Sequence, residues 1–437
     1  MLRRHASVAG LLAASSLAHG QCSFRAVFVG NNGNLEGSVT TYRVNADNSL
    51  AVVAKYITGS RPSTSVPEPG SNVAAVALRP DGKFIAAIHA TEASTAERIT
   101  MLRVNSDGTL SPPAGPGSGL FNTPDAPLDG EWVNNDFLAV LDTGDGVLYI
   151  YRYNETLNTL TLVSFGQTGG FTSTLAIHPS RNYIVTQEST GRTVRLFPIN
   201  PATGVLGAPS ISSFSQFSLG IGISPDGTRA FGGGGISGNL VTAYSIDAGT
   251  GVIVPIAGAP FASPGSSPKQ VAVTSDNLFA LVAHGTDATV RVLAIDPGTG
   301  ALSFTPFFFD VGFQGSLGEV VVEGQQMFVT DRDTISDGVR GLRSFTVGAD
   351  GSLTQNGTIV DSTGITPNSI QTWRPPPPPC PGDITGDNRV DTNDLVLFLG
   401  NFGLSVPPGT GGDFDNDGTV TTNDLVVLLA NFGCGGA

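Results

Sequence analysis

The sequence predicts an all-β protein, a seven-bladed β-propeller, followed by a small α-helical domain. A short turn followed by an apolar residue recurs along most of the chain at intervals of about fifty residues. Each interval contains the same series of short strands and Gly- or Asp-rich turns, which is typical of propeller blades. Near the C-terminus a different unit, an Asp-rich loop followed by an apolar helix, occurs twice.

The composition agrees with a turn-rich β-protein. The chain has 437 residues, of which 57 are Gly and only 13% are charged, so two or more domains are expected. The net charge is −14, and much of the acidity lies in the C-terminal loops. No basic stripe interleaved with aromatic residues occurs, so nucleic-acid binding is not expected.

The N-terminus predicts export. Arg3 and Arg4 precede an apolar run from Val8 to Leu17, and the small residues of Ala18-His19-Gly20 follow, which predicts a signal peptide over residues 1–20. No other apolar run is long enough to span a membrane. The mature protein is therefore expected to be secreted, and extracellular or associated with the cell surface.

The repeats define a propeller over residues 23–373. In a representative unit, an apolar strand from Val73 to Leu78 is followed by the turn RPDGK and a second strand from Phe84 to His89. The apolar residues that follow the repeated turns mark seven units: Leu50, Leu110, Leu160, Leu206, Ile253, Leu302 and Leu353. Thr366–Trp373 resembles an inner strand without a blade, and Ala26–Asn32 begins a unit that lacks one. Their pairing would close the ring and remove two exposed sheet edges.

A proline-rich linker, residues 374–381, separates this region from the C-terminal domain at 382–437. The two loops in that domain carry oxygen-bearing side chains at alternate positions, as Ca²⁺ requires. At loop positions 1, 3, 5, 9 and 12 stand Asp383, Thr385, Asp387, Asp391 and Asp394 in the first loop, and Asp413, Asp415, Asp417, Thr421 and Asp424 in the second. Arg389 and Thr419 occupy position 7, where the backbone carbonyl is the ligand. Position 6 requires positive φ, which suits Gly418 and is tolerated by Asn388.

Two bound calcium ions are therefore expected, and the alternative is a pair of solvated Asp-rich turns. Each loop leads into a helix with apolar residues spaced i, i+3, i+4, i+7, but no helix precedes it, because prolines occupy that segment. The duplicated unit resembles the dockerin type I family, which implies docking to a cohesin-like or surface protein. Thr392-Asn393 and Thr422-Asn423 stand at the two contact positions of that family, whereas its basic helical residues are absent. A sorting or surface-attachment role is the alternative.

The chain has three cysteines. Cys380 lies just before the first loop and Cys434 lies just after the second helix. In an oxidising compartment these two are expected to form a disulfide that joins the ends of the domain. Cys22 is left over, and three independent thiols are the alternative.

The S-P-D-G turns and the fifty-residue period resemble the seven-bladed lactonase family, which includes 6-phosphogluconolactonase-like and muconate-lactonizing propellers. Aligned on their turns, the repeats end their second strands with polar residues that are expected to line one mouth of the channel as a ligand or metal site: His89, Asp142, Glu188, His284 and Asp331. Strand ends are polar by default, so a purely structural ring is the alternative.

The resemblance implies one catalytic candidate. Glu188 matches a family Glu and is the expected base for lactone opening. Ser173-Thr174 stand where the family carries Arg-His, and Glu131-Trp132 stand where it commonly carries His. The resemblance places no cation at this site, although Arg192 or Lys269 could reach it, and Arg332 lies close to the ring of strand ends. Two hypotheses follow: a propeller without lactonase activity that binds a small molecule, glycan or protein and docks through its calcium domain, or a secreted lactonase acting on sugar lactones or related carbohydrates.

Overall fold

The structure, a computed structural model, describes residues 25–33, 35–60, 70–90, 99–117, 119–123, 126–214, 219–235, 238–312, 316–333, 338–374, 380–387 and 389–434. In this part of the chain, 31 β-strands form seven antiparallel sheets, and two α-helices follow. The predicted fold class, an all-β seven-bladed propeller with a small helical C-terminal region, is confirmed. The predicted signal peptide, Cys22, Asn388 and linker residues 375–379 lie outside the described residues.

The strands of the first four blades are given from the channel outward. Blade 1 consists of β31 (Pro367–Trp373), β1 (Arg25–Asn32), β2 (Glu36–Val44) and β3 (Leu50–Ser60). Blade 2 consists of β4 (Val73–Leu78), β5 (Phe84–His89), β6 (Ile99–Val104), β7 (Leu110–Ser111) and β8 (Leu120–Phe121). Blade 3 consists of β9 (Pro127–Trp132), β10 (Phe137–Asp142), β11 (Val147–Asn154) and β12 (Thr159–Gln167). Blade 4 consists of β13 (Thr172–Ile177), β14 (Tyr183–Glu188), β15 (Thr193–Pro198) and β16 (Ser210–Ser213).

The remaining three blades follow the same order. Blade 5 consists of β17 (Gly220–Ile223), β18 (Arg229–Gly233), β19 (Leu240–Asp247), β20 (Val252–Pro255) and β21 (Phe261–Ala262). Blade 6 consists of β22 (Pro268–Val273), β23 (Phe279–His284), β24 (Thr289–Ile295) and β25 (Leu302–Asp310). Blade 7 consists of β26 (Leu317–Glu323), β27 (Gln326–Asp331), β28 (Gly341–Val347), β29 (Leu353–Gln355) and β30 (Val360–Asp361).

The ring closes as the sequence predicts. Strand β31 pairs antiparallel with β1, in a register that places Ala26 opposite Trp373 and Val29 opposite Ile370. The Trp373 indole N–H donates to the Gly82 carbonyl of blade 2 at 3.0 Å, and its ring lies 6.1 Å from that of Phe28. The last strand of the propeller is therefore the innermost strand of its first blade.

The core consists of apolar seams between neighbouring blades. The second strands are buried on both faces apart from some end residues, and Phe84–His89 and Phe279–His284 are buried along their whole length. Residues of blades 2 and 3 form one such seam, in which Trp132 and Tyr153 meet edge to face at 6.0 Å. Outer strands such as Thr159–Gln167 alternate between partly buried and exposed residues, because only one of their faces packs inward.

A β-bulge recurs where the inner strands begin. In blade 6, Pro268 lies opposite His284 and Gln270 lies opposite Ala283, so that Lys269 is an extra residue in its strand. The same one-residue shift occurs in blades 1, 2, 3, 4 and 7. A bulge changes the direction of the side chain that it carries. The repeated bulge therefore places a set of inner-strand residues at one end of the channel.

The C-terminal region contains two short helices, α1 (Thr392–Asn401) and α2 (Thr422–Ala430). They pack on a small core formed by Val390, Phe398, Val420 and Leu428. The two units exchange backbone hydrogen bonds: Val390 pairs with Gly433 and Cys434 after α2, and Val420 pairs with Gly403 and Leu404 after α1. Of the helices in the described chain, neither is long and apolar enough to span a membrane.

Candidate functional site

A cavity of about 460 Å³ lies in the central channel, where the inner strands begin. All seven inner strands contribute to its lining. Most of the lining is small or apolar, and its charged side chains fall into two groups. Asp129, Glu131 and Glu319 form an acidic group, and Lys269 and Arg332 form a basic group.

The three carboxylates connect neighbouring inner strands. Asp129 accepts a hydrogen bond from the backbone N–H of Leu175 at 2.9 Å, and Glu131 accepts one from Ile177 at 3.0 Å. Glu319 accepts one from Ile370, on the closing strand, at 2.6 Å. The innermost strand of each blade has an unpaired edge, and its N–H groups need partners when buried. These carboxylates supply such partners while lining the cavity.

Burial makes the three carboxyl groups weak acids. It raises the pKa of Asp129 to about 6, although backbone hydrogen bonds from Leu175 and Gly130 oppose the rise. It raises the pKa of Glu131 to about 7 and that of Glu319 to about 8, and mutual repulsion among the carboxylates adds to both. Near neutral pH the group therefore contains both protonated and ionised carboxyls, as general acid–base chemistry requires.

The basic group is also partly desolvated. Burial, followed by repulsion from Arg332, lowers the pKa of Lys269 to about 8. Burial lowers the pKa of Arg332, although the negative charge of Asp333 opposes this shift. The buried Nε atom of Arg332 has no hydrogen-bond partner in the described part of the chain. Neither side chain forms a salt bridge with the acidic group of the cavity. The acidic and basic groups therefore line one cavity without being paired with each other.

The structure places the five residues predicted for the channel mouth at the ends of second strands, and the described cavity lining includes none of them. His89 and His284 are fully buried. The Nδ1 of His89 donates to the Ser71 carbonyl at 3.0 Å, which leaves Nε2 to accept from the Thr100 hydroxyl at 2.8 Å. Burial lowers the pKa of His89 to about 4 and also lowers that of His284, so both rings are neutral near pH 7.

The acidic members of that set are held in the same way. Asp142 accepts from the N–H of Ala126 at 2.9 Å, and Asp331 forms a buried ion pair with Arg343 at 2.8 Å. These contacts connect second strands to the incoming loop or to the third strand. These residues do not line the cavity because the second strand of each blade is separated from the channel by the inner strand. Ligand binding by these residues stays a prediction.

Glu188, the predicted catalytic base, has four hydrogen-bond donors around its carboxylate. The N–H groups of Gly170 and Gly191 donate at 2.8 and 3.0 Å, the Thr193 hydroxyl at 2.7 Å, and the Arg195 guanidinium at 3.0 Å. Burial opposes ionisation, but these donors outweigh it and lower the pKa of Glu188. The group is therefore a firmly held carboxylate and a weak base.

The sequence contained a signal for the cavity residues that the prediction did not fully use. The other four inner strands carry no charged residue. In contrast, PLDGEW carries Asp129 and Glu131, LGEVVVE carries Glu319, and PKQVAV carries Lys269. Charged residues in the middle of buried strands require a reason. Of the two cation candidates, Lys269 lies in the cavity lining and Arg192 is not among the described lining residues.

The C-terminal loops bring carboxylates together in two places. Ligand atoms of Asp383, Asp387 and Asp394 all lie within 4.8 Å of one another, and the same holds for Asp413, Asp415 and Asp424. Gly418, at position 6, has φ of 86°, as predicted. At position 4, Gly386 and Asn416 both have positive φ, so the two loops turn in the same way at this position. Three carboxylates within that distance are a donor set that suits a divalent cation such as Ca²⁺.

Other predicted ligands shape the loops. Asp391 and Thr421, at position 9, are the N-caps of α1 and α2, and each forms a capping box with position 12. Asp394 accepts from the N–H groups of Ile384, Thr385 and Asp391. Burial opposes ionisation of Asp394, but these donors outweigh it and lower its pKa. Asp424 is held in the same way.

The remaining four predicted ligands surround these carboxylates. The Thr385 hydroxyl lies 3.1 Å from Asp394. The N–H of Arg389 donates to Asp387 at 2.9 Å, and that of Thr419 donates to Asp417 at 2.8 Å, so position 7 is held by position 5 in both loops.

The predicted disulfide is confirmed. Cys380 and Cys434 are bonded, with 5.7 Å between their Cα atoms. The bond joins the residue that precedes the first loop to the segment that follows α2. It also packs against the small core of the helical region.

Comparison with known proteins defines a structural class. The propeller is similar to 6-phosphogluconolactonase-like propellers. A candidate 6-phosphogluconolactonase from Bacteroides fragilis matches with a TM-score of 0.63 at 16% identity, over 81% of this chain and 99% of that one. A periplasmic gluconolactonase from Pseudomonas aeruginosa matches with a TM-score of 0.60 at 18% identity, over 80% and 99%. No protein-family model matches the chain, and no curated protein sequence does.

Proposed function

We propose that this protein is a secreted hydrolase that opens sugar lactones in the central cavity. The observation that carries the proposal is the presence, in one cavity of about 460 Å³, of carboxyl groups that titrate near neutrality and of two cations. The volume suits a single sugar ring. The structural similarity to propellers named as lactonases supports the same activity, and the disulfide supports an oxidising compartment.

The chemistry follows from the residues that line the cavity. Water adds to the lactone carbonyl carbon, the bond from that carbon to the ring oxygen breaks, and the ring oxygen takes up a proton. Glu131 or Glu319, when ionised, can accept the proton of the attacking water and then deliver it to the ring oxygen. Lys269 and Arg332 supply positive charge for the carbonyl oxygen as it becomes an oxyanion.

Hydrolysis of glucono-1,5-lactone by the purified full chain tests this proposal, measured in a pH-stat with the spontaneous rate subtracted. We expect Glu131→Gln or Glu319→Gln, and Lys269→Met, to lower kcat/KM by about 10²- to 10³-fold. Lys83→Met is the control, because this exposed lysine lies in the turn between β4 and β5. Absence of turnover across a panel of aldonolactones would contradict the proposal and favour a propeller that only binds its ligand.

The same assay decides the role of Glu188. Its four donors favour a structural role, so we expect Glu188→Gln to retain most of the activity at a lower melting temperature. A folded Glu188→Gln protein without activity, together with an active Glu131→Gln protein, would instead establish Glu188 as the base.

We also propose that the C-terminal loops bind two calcium ions. The two convergent carboxylate sets support this, as do the shared φ values at position 4. Calorimetric titration of the full chain with Ca²⁺ is expected to give two sites, and Asp424→Ala is expected to leave one. Ca²⁺ at about 100 times Kd would stabilise the domain by about 2.7 kcal/mol for each occupied site. Asp350→Ala, in a propeller turn, is the control; two sites in Asp424→Ala would contradict the assignment.

Docking to a cohesin-like or surface partner is proposed for the same domain. Its helices expose equivalent apolar residues, Val396 and Leu399 on α1 and Val426 and Leu429 on α2, each more than half exposed. Exposed apolar patches of this kind mark interaction sites. Binding to an immobilised cohesin domain is expected to require Ca²⁺ and to be lost only when Val396→Asp and Val426→Asp are combined, because either face can dock. Binding that survives EDTA or the double substitution would contradict it.

A further inference from the structure

Among the described residues, neither cation of the cavity forms an ion pair with a carboxylate. Lys269 is carried on the bulge at the start of β22, and Arg332 immediately follows the end of β27. Arg332 is attracted by Asp333, but its buried Nε has no hydrogen-bond partner among the described residues. Lys269 is repelled by Arg332, and no described carboxylate forms an ion pair with it. Two partly desolvated cations that line one cavity are costly unless an anion joins them.

The structure holds Lys269 in this position through a glycine. A Cβ atom at Gly285 would lie 2.1 Å from Lys269 Cε and 2.7 Å from its Nζ. The Lys269 side chain therefore lies directly over the Gly285 backbone, in space that any other residue would fill. Gly285 is not among the residues with positive φ, so the missing side chain is required by this contact and not by the backbone conformation.

The reaction proposed above changes the charge of the ligand. The lactone is neutral at its acyl group. After water has added and the bond to the ring oxygen has broken, the product is a hydroxy acid, which ionises to a carboxylate and releases one proton to solvent. A neutral lactone cannot neutralise the cation pair, but the carboxylate can, through charge-assisted hydrogen bonds.

We propose that Lys269 and Arg332 form a carboxylate subsite that holds the open-chain hydroxy acid, so that this channel binds the product of lactone opening more tightly than an uncharged ligand of the same length. The proposal rests on the lactonase function for the identity of the acid. The consequence is inhibition by product: hydrolysis slows as the sugar acid accumulates, because release of the carboxylate from a desolvated cation pair limits turnover.

A matched pair of ligands tests the subsite without turnover. D-gluconate and D-glucitol have the same carbon chain and differ at one end, where a carboxylate replaces a hydroxymethyl group. Calorimetric titration of the full chain at pH 7 is expected to show gluconate binding at least tenfold more tightly. This preference should weaken as salt is raised, since screening acts on the charged ligand alone. It should also weaken above about pH 8, because Lys269 then loses its proton. Ionisation of the facing Asp129, Glu131 and Glu319 acts in the same direction.

Two variants separate the subsite from a general loss of folding. Lys269→Met removes the charge, and Gly285→Ala leaves the lysine present but displaces its ammonium group. Both are expected to reduce the preference for gluconate by about tenfold, with affinity for glucitol unchanged, while Lys83→Met keeps the preference. Equal binding of gluconate and glucitol by the unmodified protein would overturn the proposal, as would full preference in both variants.

The outcomes also distinguish this inference from the proposed function. Lactone hydrolysis without a preference for gluconate would remove the carboxylate subsite and leave the hydrolase. A preference for gluconate that depends on Lys269, in a protein that hydrolyses no lactone, would remove the hydrolase and leave the subsite as a binding site for sugar acids.

Discussion

At the residue scale, the carboxyl groups of the cavity combine a structural contact with an altered pKa. Glu319 illustrates this combination. One oxygen accepts the N–H of Ile370 on the closing strand, while the side chain borders the cavity together with Asp129 and Glu131. Burial disfavours the ionised form, and each neighbouring carboxylate disfavours it further. The folded protein therefore retains a proton that the unfolded chain would lose at the same pH.

This difference predicts a pH dependence of stability. The pKa of Glu319 is raised from 4.5 to about 8 in the folded state, so the folded protein binds more protons than the unfolded chain between these values. Stability consequently falls as pH rises from about 4.5 to about 8. Glu319→Gln keeps an acceptor for Ile370 and removes the titration. The stability of the variant relative to wild type should therefore rise with pH. We expect the difference between their unfolding free energies to be more than about 1 kcal/mol larger, in favour of the variant, at pH 8 than at pH 5.

Urea unfolding at a series of pH values measures this effect. Glu36→Gln is the control, because Glu36 lies on β2 in an ion pair with Lys55, away from the described cavity lining. Parallel pH profiles for Glu319→Gln and wild type would show that the carboxyl group is not protonated preferentially in the folded state.

At the element scale, short local features determine where side chains point. The one-residue bulge at the start of the inner strands brings Lys269 and Ser173 into the cavity lining. In the C-terminal region, each capping box couples a loop to its helix, because the position 12 aspartate also accepts from the N-cap backbone. The loops and helices of this region are therefore one structural unit, and the disulfide joins its ends.

Removal of the disulfide is expected to affect this unit strongly. The bond closes a loop with a sequence separation of 54, for which loop-closure entropy gives about 4 kcal/mol. The core of the region is small, so a loss of this size would unfold it. We expect Cys380→Ser combined with Cys434→Ser to abolish protection of amides in α1 and α2 from hydrogen exchange, while amides of the propeller stay protected. Unchanged protection of both helices in the double variant would contradict this expectation.

At the scale of the whole molecule, stability depends on closure of the ring. After seven blades the chain returns to the first blade, where β31 pairs with β1 on the channel side. This pairing covers an edge of each strand that would otherwise be exposed. Contacts of that strand reach both neighbouring blades. Glu319 of blade 7 accepts from Ile370, the Ser369 hydroxyl accepts from Val76 of blade 2 at 3.1 Å, and Trp373 donates to Gly82.

Trp373→Ala is expected to destabilise the whole propeller. The side chain is 3% exposed, and truncation of a buried aromatic residue costs about 3–5 kcal/mol. Because the residue joins the last strand to the first two blades, the loss should appear as one cooperative shift in the urea midpoint. Trp373→Phe, which keeps the ring contact with Phe28 but removes the indole donor, should cost about 1 kcal/mol. A separate early transition in Trp373→Ala, with the remaining blades unaffected, would indicate that closure is not coupled to the rest of the ring.

The sequence alone determined the repeated architecture and the C-terminal loops, because both are local. Turn residues with positive φ, strand periodicity and alternate Asp positions lie within a dozen residues of one another, and they predicted the seven blades and the Asp-rich loops. The closing strand and the pairing of Cys380 with Cys434 were inferred instead from where an incomplete unit and the cysteines stand along the chain. The residues of the candidate site could be predicted only in part from the sequence. The ends of the second strands were predicted as its lining, whereas His89 and Glu188 connect strands within blades.

Only the tertiary structure decided which charged residues share the cavity. Asp129, Lys269 and Glu319 are far apart in sequence, and their proximity depends on closure of the ring and on the bulges that begin their inner strands. Their altered pKa values arise from burial and mutual repulsion, which are properties of the assembled channel. A local sequence pattern identifies a strand or a loop, but the set of charged side chains in this cavity exists only when all seven inner strands are assembled around the channel.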